Sequence, residues 1–356
     1  MIKTEKNKID RTIAPKIVDA VDFNLQLKPY QKYILKNGVE VYAIDAGAEE
    51  VMMVEWVYFA GDWHEEKKLI AAATNFMLKN GTSAKTAFQI NEHFEYYGAY
   101  LNRAAYNETS TITLHTLTKH IHELLPVVRE MLTDSNFPVE ELTTYKKIMQ
   151  QRLSVNLLKC DFVAHRLIDA YLYGEQHPYG RYSKFEDFES LTREDLVQFY
   201  KKYYQQGKFI IFAAGKLPQN LEELLNKNFG DLLNNKIGSK EFSIDAAIEK
   251  KQRIINDPNG VQGAIRIARP FPNRHHPDFL KVQVLNTLLG GFFGSRLMSN
   301  IREDKGYTYG IHSYLQNHIQ RSAWMVSTEA GRDVCEPAVK EIYHEMQKLR
   351  DKLIDD

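Results

Sequence analysis

The chain has 356 residues, 44% apolar and 26% charged, with 46 basic and 46 acidic side chains. This length suits about two domains. The balanced charge offers no electrostatic case for nucleic acid or an anionic membrane surface. No apolar run approaches the roughly 20 residues of a membrane helix, and the polar stretch from Met1 has no hydrophobic signal core behind it. Two cysteines, Cys160 and Cys335, make neither a disulfide framework nor a cysteine metal site. They point to a reducing compartment, the cytoplasm, or the periplasm if a signal peptide has been removed.

In chain order, residues 33–46 read as a hairpin turning at Asn37-Gly38, a dipeptide suited to a tight primed turn. A β-branched and aromatic strand covers 51–59. Helical spacing runs from Lys67 to a stop at Asn80-Gly81, and a second helix covers 87–97. Strands at 99–105 and 108–117 follow, then helices at 121–133, 139–158, 162–172 and 196–203, and a short buried strand at 209–214. Residues 234–240 are polar, without an apolar period, and belong to a linker over 234–250.

The second half repeats this order: a strand at 264–268, helices at 279–289 and 295–302, strands at 308–314 and 323–329, and a long helix at 334–353. Repeats of this length indicate duplicated domains rather than a solenoid. The reading is therefore a domain at 1–233, a linker, and a second domain at 251–356. An equal second copy would run about 65 residues past Asp356, so the second domain is expected to be C-terminally truncated.

Two stretches carry a specific resemblance. The first is Leu69-Ile70-Ala71-Ala72-Ala73-Thr74-Asn75-Phe76-Met77-Leu78-Lys79-Asn80-Gly81-Thr82; the second runs from Leu288-Leu289-Gly290-Gly291 through Ser295-Arg296-Leu297 to Ile301-Arg302-Glu303-Asp304-Lys305-Gly306-Tyr307-Thr308-Tyr309-Gly310. With His177-Pro178-Tyr179-Gly180 and the run Leu191 to Gly215, they resemble the pitrilysin/insulinase (M16) family of zinc peptidases. The resemblance implies an α+β fold of two related domains, each an antiparallel-rich sheet with helices packed on one face. Active members carry H-x-x-E-H on the first helix. There the i, i+4 histidines share one helical face toward zinc, and the glutamate takes a proton from metal-bound water.

Here the histidine positions fall on Ala72 and Phe76 and the glutamate on Asn75. The downstream glutamate ligand falls on Arg152, and a supporting glutamate on Tyr145. Alanine and phenylalanine offer zinc no lone pair, a carboxamide is no useful base near neutral pH, and a guanidinium repels a divalent cation. This chain is thus expected to bind no metal or other cofactor and not to cut peptides alone. His115, His120 and His122, and the pair His275-His276, share no i, i+4 face and read as solvated edge histidines. Gly290-Gly291 and Gly294 are not a phosphate loop.

The resemblance also implies that Arg302 and Tyr309, seven residues apart, reach a peptide lying at the metal. Both side chains donate to a carbonyl or a developing oxyanion. Without that resemblance Arg302 reads as an ion-pair partner of a nearby acid, and Tyr309 as an aromatic on a half-buried strand. Some bacterial members are heterodimers in which one subunit supplies zinc and the other the arginine–tyrosine pair. The expectation is a non-catalytic subunit that binds unstructured peptide and pairs with a zinc-bearing subunit, or with itself as a homodimer. The alternatives are a structural subunit like the core proteins of respiratory complexes and a stand-alone peptide-binding protein.

Overall fold

The computed structural model describes residues 26–236, 242 and 259–352. Most of the expected linker, 234–250, lies outside these residues.

Two sheets order the chain. The larger contains β1 (Gln31–Ile34), β2 (Glu40–Asp45), β3 (Val51–Tyr58), β4 (Tyr100–Ala105), β5 (Ser110–Leu117) and β6 (Phe209–Gly215) in the order β1-β2-β6-β3-β5-β4. Every neighbouring pair is antiparallel except β2 with β6. The smaller holds β7 (Gln262–Phe271), β8 (Thr308–Asn317) and β9 (Ser322–Gly331) in the antiparallel order β7-β9-β8. This repeats the β3-β5-β4 order of the first half, so the duplication seen in the sequence is a duplication of strand pairing.

The helices are α1 (Ile70–Met77), α2 (Ala87–Tyr96), α3 (Ile121–Asp134), α4 (Val139–Leu157), α5 (Cys160–Tyr173), α6 (Phe185–Ser190), α7 (Arg193–Tyr200), α8 (Leu221–Phe229), α9 (Phe279–Asn286) and α10 (Cys335–Asp351). On β3, Met52, Val54, Trp56 and Tyr58 are buried while the alternate residues are not, as a strand covered on one face requires. Trp56 packs on Phe229 of α8 at 5.1 Å, and Tyr58 stacks on Phe209 at 4.9 Å. Helix α1 begins at Ile70, not Lys67. Leu69 has φ 75°, a left-handed backbone that a helix cannot include. The second core gathers Leu297, Ile301, Ile311, Val326, Ala338 and Ile342 between the small sheet and α10.

The halves meet through a third cluster of Trp63, Leu172, Tyr173, Tyr179, Ala323 and Met325. His177-Pro178-Tyr179-Gly180 is buried in this joint: His177 is 3% and Tyr179 4% exposed. The loop between β8 and β9 covers it. His318 stacks on Tyr179 at 4.0 Å, Ile319 N donates to Glu108 Oε1 at 2.9 Å, and Gln320 N donates to Tyr179 Oη at 3.3 Å. Tyr179 Oη in turn donates to Glu108. Arg266 on β7 pairs with Asp161 on α5 across the same joint.

Candidate functional site

Helix α1 carries Ala72, Asn75 and Phe76, the positions that the resemblance aligns with a metal motif. Asn75 points into the core, 2% exposed, and its Nδ2 donates to Thr111 O at 3.2 Å and to Tyr204 Oη at 3.1 Å. Asn75 is thus pinned as a structural donor. Ala72 and Phe76, one turn apart, are half-buried. The Phe76 ring packs on Tyr145 of α4 at 4.9 Å. On its other contact the guanidinium of Arg103, from β4, lies 5.0 Å from the ring centroid and donates to the Phe76 carbonyl. Burial lowers the Arg103 pKa to about 10, so it stays cationic at neutral pH. Tyr145 is pushed well above the usual phenol range, chiefly by burial; the charges of Glu65 and Asp62 add to this and that of Arg152 opposes it. Arg152 itself is exposed on α4.

These residues do not fit zinc. An aromatic ring fills one ligand position, a methyl group another, and a guanidinium lies against the first. Among the described residues no group of three or more His, Cys, Asp or Glu could hold a metal ion. His115, His122, His275 and His276 are exposed and His120 is half-buried.

Sequence reasoning missed the group at the start of α1. Glu65 accepts from Leu69 N at 3.2 Å and Ala71 N at 2.9 Å, and so caps the helix. It also accepts from Arg181 Nη2 at 2.8 Å. Burial holds the Glu65 and Asp62 carboxyls above their ordinary range. A carboxylate just upstream of a helix is a readable cap signal, whereas Arg181, 116 residues away, leaves none.

In the second half, Arg302 lies in a wide helical turn, Met298–Asp304, that follows Gly290-Gly291. Gly306, at φ 62°, reverses the chain, and β8 begins at Thr308. Its register against β9 breaks between Thr308 and Ile311, a bulge that re-aims Tyr309. Thr328 Oγ1 holds the bulge by donating to Gly310 O at 2.9 Å, and Gly310 N donates to Thr308 Oγ1 at 3.1 Å.

Arg302 and Tyr309 come together. The guanidinium lies 5.4 Å from the Tyr309 ring centroid and 4.5 Å from that of Phe293. It also pairs with Glu303 at 2.9 Å, the neighbouring acid foreseen from sequence. Tyr309 is not a half-buried strand aromatic: it is 92% exposed, as is much of Phe293 against the same guanidinium and of Phe292 beside it in sequence. The two phenylalanines are additions that sequence reasoning missed, although both stand in the quoted run beside Gly291. The cluster presents guanidinium N–H groups, a phenol O–H and flat apolar surface, which together suit a peptide backbone and its side chains.

Gly290 is needed for close approach. A Cβ there would come within 2.7 Å of Ser313 N and Oγ and 3.0 Å of Leu297 Cδ1. Gly290→Ala is expected to cost about 1–3 kcal/mol in a urea melt, as overpacking does. An unchanged midpoint would show that the turn can relax there.

Comparison with known proteins places this geometry. The family described as "Peptidase M16 inactive domain" matches residues 190–356. The chain is 25% identical over 288 residues to a Bacillus subtilis protein named uncharacterized zinc protease YmxG, covering 80% of this chain and 69% of that one. It is 26% identical over 269 residues to a Schizosaccharomyces pombe protein named probable mitochondrial-processing peptidase subunit beta, covering 72% and 58%. A crystal structure described as a peptidase M16 inactive domain from Pseudomonas fluorescens superposes with a TM-score of 0.80 at 23% identity, over 92% of this chain and 80% of that one. Residues 190–356 thus match the M16 inactive-domain family, and the described chain shares its fold with a solved M16 inactive domain.

Proposed function

We propose that this chain is a peptide-binding subunit of an M16-type zinc endopeptidase and that its hydrolytic partner is a separate zinc-bearing subunit. One combination carries this reading. The metal positions are filled by groups that cannot ligate, while Arg302 and Tyr309 are held together and Tyr309 stands almost wholly in solvent. A relative named as a peptidase subunit beta supports a paired arrangement.

In this reading Arg302 and Tyr309 donate to carbonyls of the bound peptide. Phe292 and Phe293 offer apolar contact, and closure of this half over the peptide excludes water. A positioned donor of this kind is worth about 3 kcal/mol where charge develops on an oxygen. The ion pair with Glu303 is the observation that favours the competing role, a purely structural subunit.

Mixing separates the two. The chain and a zinc-motif relative encoded beside it are assayed alone and together on an unstructured peptide library. Cleavage is expected only in the mixture, falling about 100-fold with Arg302→Ala or Tyr309→Phe. A mixture without activity, or an active one indifferent to both substitutions, would overturn the reading.

A further inference from the structure

The side chains around Phe76 leave two cations without an acid. Arg103 lies over the Phe76 ring, spends one N–H on the Phe76 carbonyl, and keeps a buried Nε with no partner. Lys79, at the end of α1, lies over the Phe94 ring at 5.4 Å. Among the described residues neither has a carboxylate within ion-pair distance. Both stand at the C-terminal end of α1: Arg103 bonds the carbonyl of Phe76, three residues before Lys79, and its charge adds to burial in lowering the Lys79 pKa. Glu95 acts on Lys79 only from a distance. Of the other acids on this side, Glu65 is bonded to Arg181. Arg152 adds a third positive charge near Tyr145.

Half-burying two like charges at one helix end is costly unless an opposite charge joins them. An incoming anion would restore that balance and give the Arg103 Nε an acceptor. Among the described residues β4 is the outermost strand of its sheet, and Tyr100 on it is exposed, which leaves a route for the anion.

We infer that Arg103 and Lys79 form a carboxylate-binding site on the first half, a fixed protein cation standing beside the altered metal positions, and that it takes an acidic side chain of the bound peptide. This rests on the peptide-binding reading above. It adds a preference that the Arg302–Tyr309 pair does not explain, because that pair serves backbone carbonyls of any sequence. Phe76 is then a platform: its ring, braced by Tyr145, holds the guanidinium in place by a cation–π contact.

The test uses the full chain and two fluorescent peptides, blocked at both ends and identical except that glutamates in one are glutamines in the other. Binding is followed by anisotropy at low and moderate salt. The glutamate peptide is expected to bind about tenfold more tightly, and the preference should shrink as salt rises. Lys79→Gln and Arg103→Gln should each erase most of the preference while leaving the glutamine peptide bound as before. Lys79 is half-exposed, so its substitution keeps the test valid if Arg103→Gln fails to fold. An unblocked C-terminus on the glutamine peptide shows whether a terminal carboxylate serves as well; tighter binding by that peptide than by the glutamate peptide would overturn the assignment to side chains. Equal affinity for the two blocked peptides, or a preference that survives Lys79→Gln, would overturn the site but leave the peptide-binding reading standing. If neither peptide binds, both fall.

Discussion

Asn75→Asp is expected to lower stability by about 3 kcal/mol at pH 8 and by much less near pH 4. The amide now donates to a backbone carbonyl and a tyrosine hydroxyl inside the core. An aspartate has no N–H to give, and its charge would face the Thr111 carbonyl oxygen. Burial would raise its folded pKa above the unfolded value of about 3.9. The folded state then binds more protons than the unfolded one over that window. Stability is therefore present below about pH 4 and is lost as pH rises toward the folded value. Urea melts across pH would show this, and a flat difference would mean the carboxylate has found a donor. The same packing bears on any attempt to build a metal centre here: Phe76→His would remove the ring that packs on Tyr145 and Arg103, so histidines alone would not make a site.

Tyr179→Ala is expected to cost about 3–5 kcal/mol, within the range for a fully buried aromatic. The ring touches Trp63, Tyr173, His177 and His318, and its hydroxyl ties Glu108 to the β8–β9 loop. Because these contacts span the joint, calorimetry should show one transition in the native chain and two in the variant. A single lowered transition would mean that the halves remain coupled through α5 and β7. The same joint sets an acid limit. Burial, then the positive charges of Arg321, His318 and Arg181, lowers the His177 pKa to about 4. In the unfolded chain a histidine titrates near 6.5, so protons bind the unfolded state first. The stabilising contribution is present above about pH 6.5 and is lost as pH falls toward about 4. His177→Gln should flatten this part of the pH profile of Tm.

Much of the architecture could be read from local pattern. Alternating β-branched and aromatic residues located β3 and β5, Asn37-Gly38 located the first hairpin, and the strand order of the second half repeats that of the first. Arg302 and Tyr309 were legible as a pair only through the family resemblance, since by themselves they read as an ion-pair partner and a strand aromatic. What escaped depends on residues distant in sequence. His177-Pro178-Tyr179-Gly180 looks like a polar turn until residues 316–320 arrive to bury it. Arg103 looks like an ordinary strand cation until Phe76 and Tyr145 are brought beneath it. The start of α1 was placed early because Lys67 and Lys68 fit helical spacing, while the left-handed backbone at Leu69 has no signature in a leucine. The exposure of Tyr309 follows from a bulge, and one extra residue in a strand leaves little trace in an alternating pattern.

The bulge also shapes how the molecule avoids its own kind. Among the described residues β8 borders the small sheet, and a border strand offers unpaired amides on which a second molecule could extend the sheet. Between Thr308 and Ile311 the ladder is out of step, so a foreign strand laid along that margin meets no continuous row of donors and acceptors. The protein can thus hold an aromatic side chain far into solvent without offering a flat template for fibril growth. A straightened margin at that place would carry a colloidal penalty, felt as precipitation during refolding at high concentration.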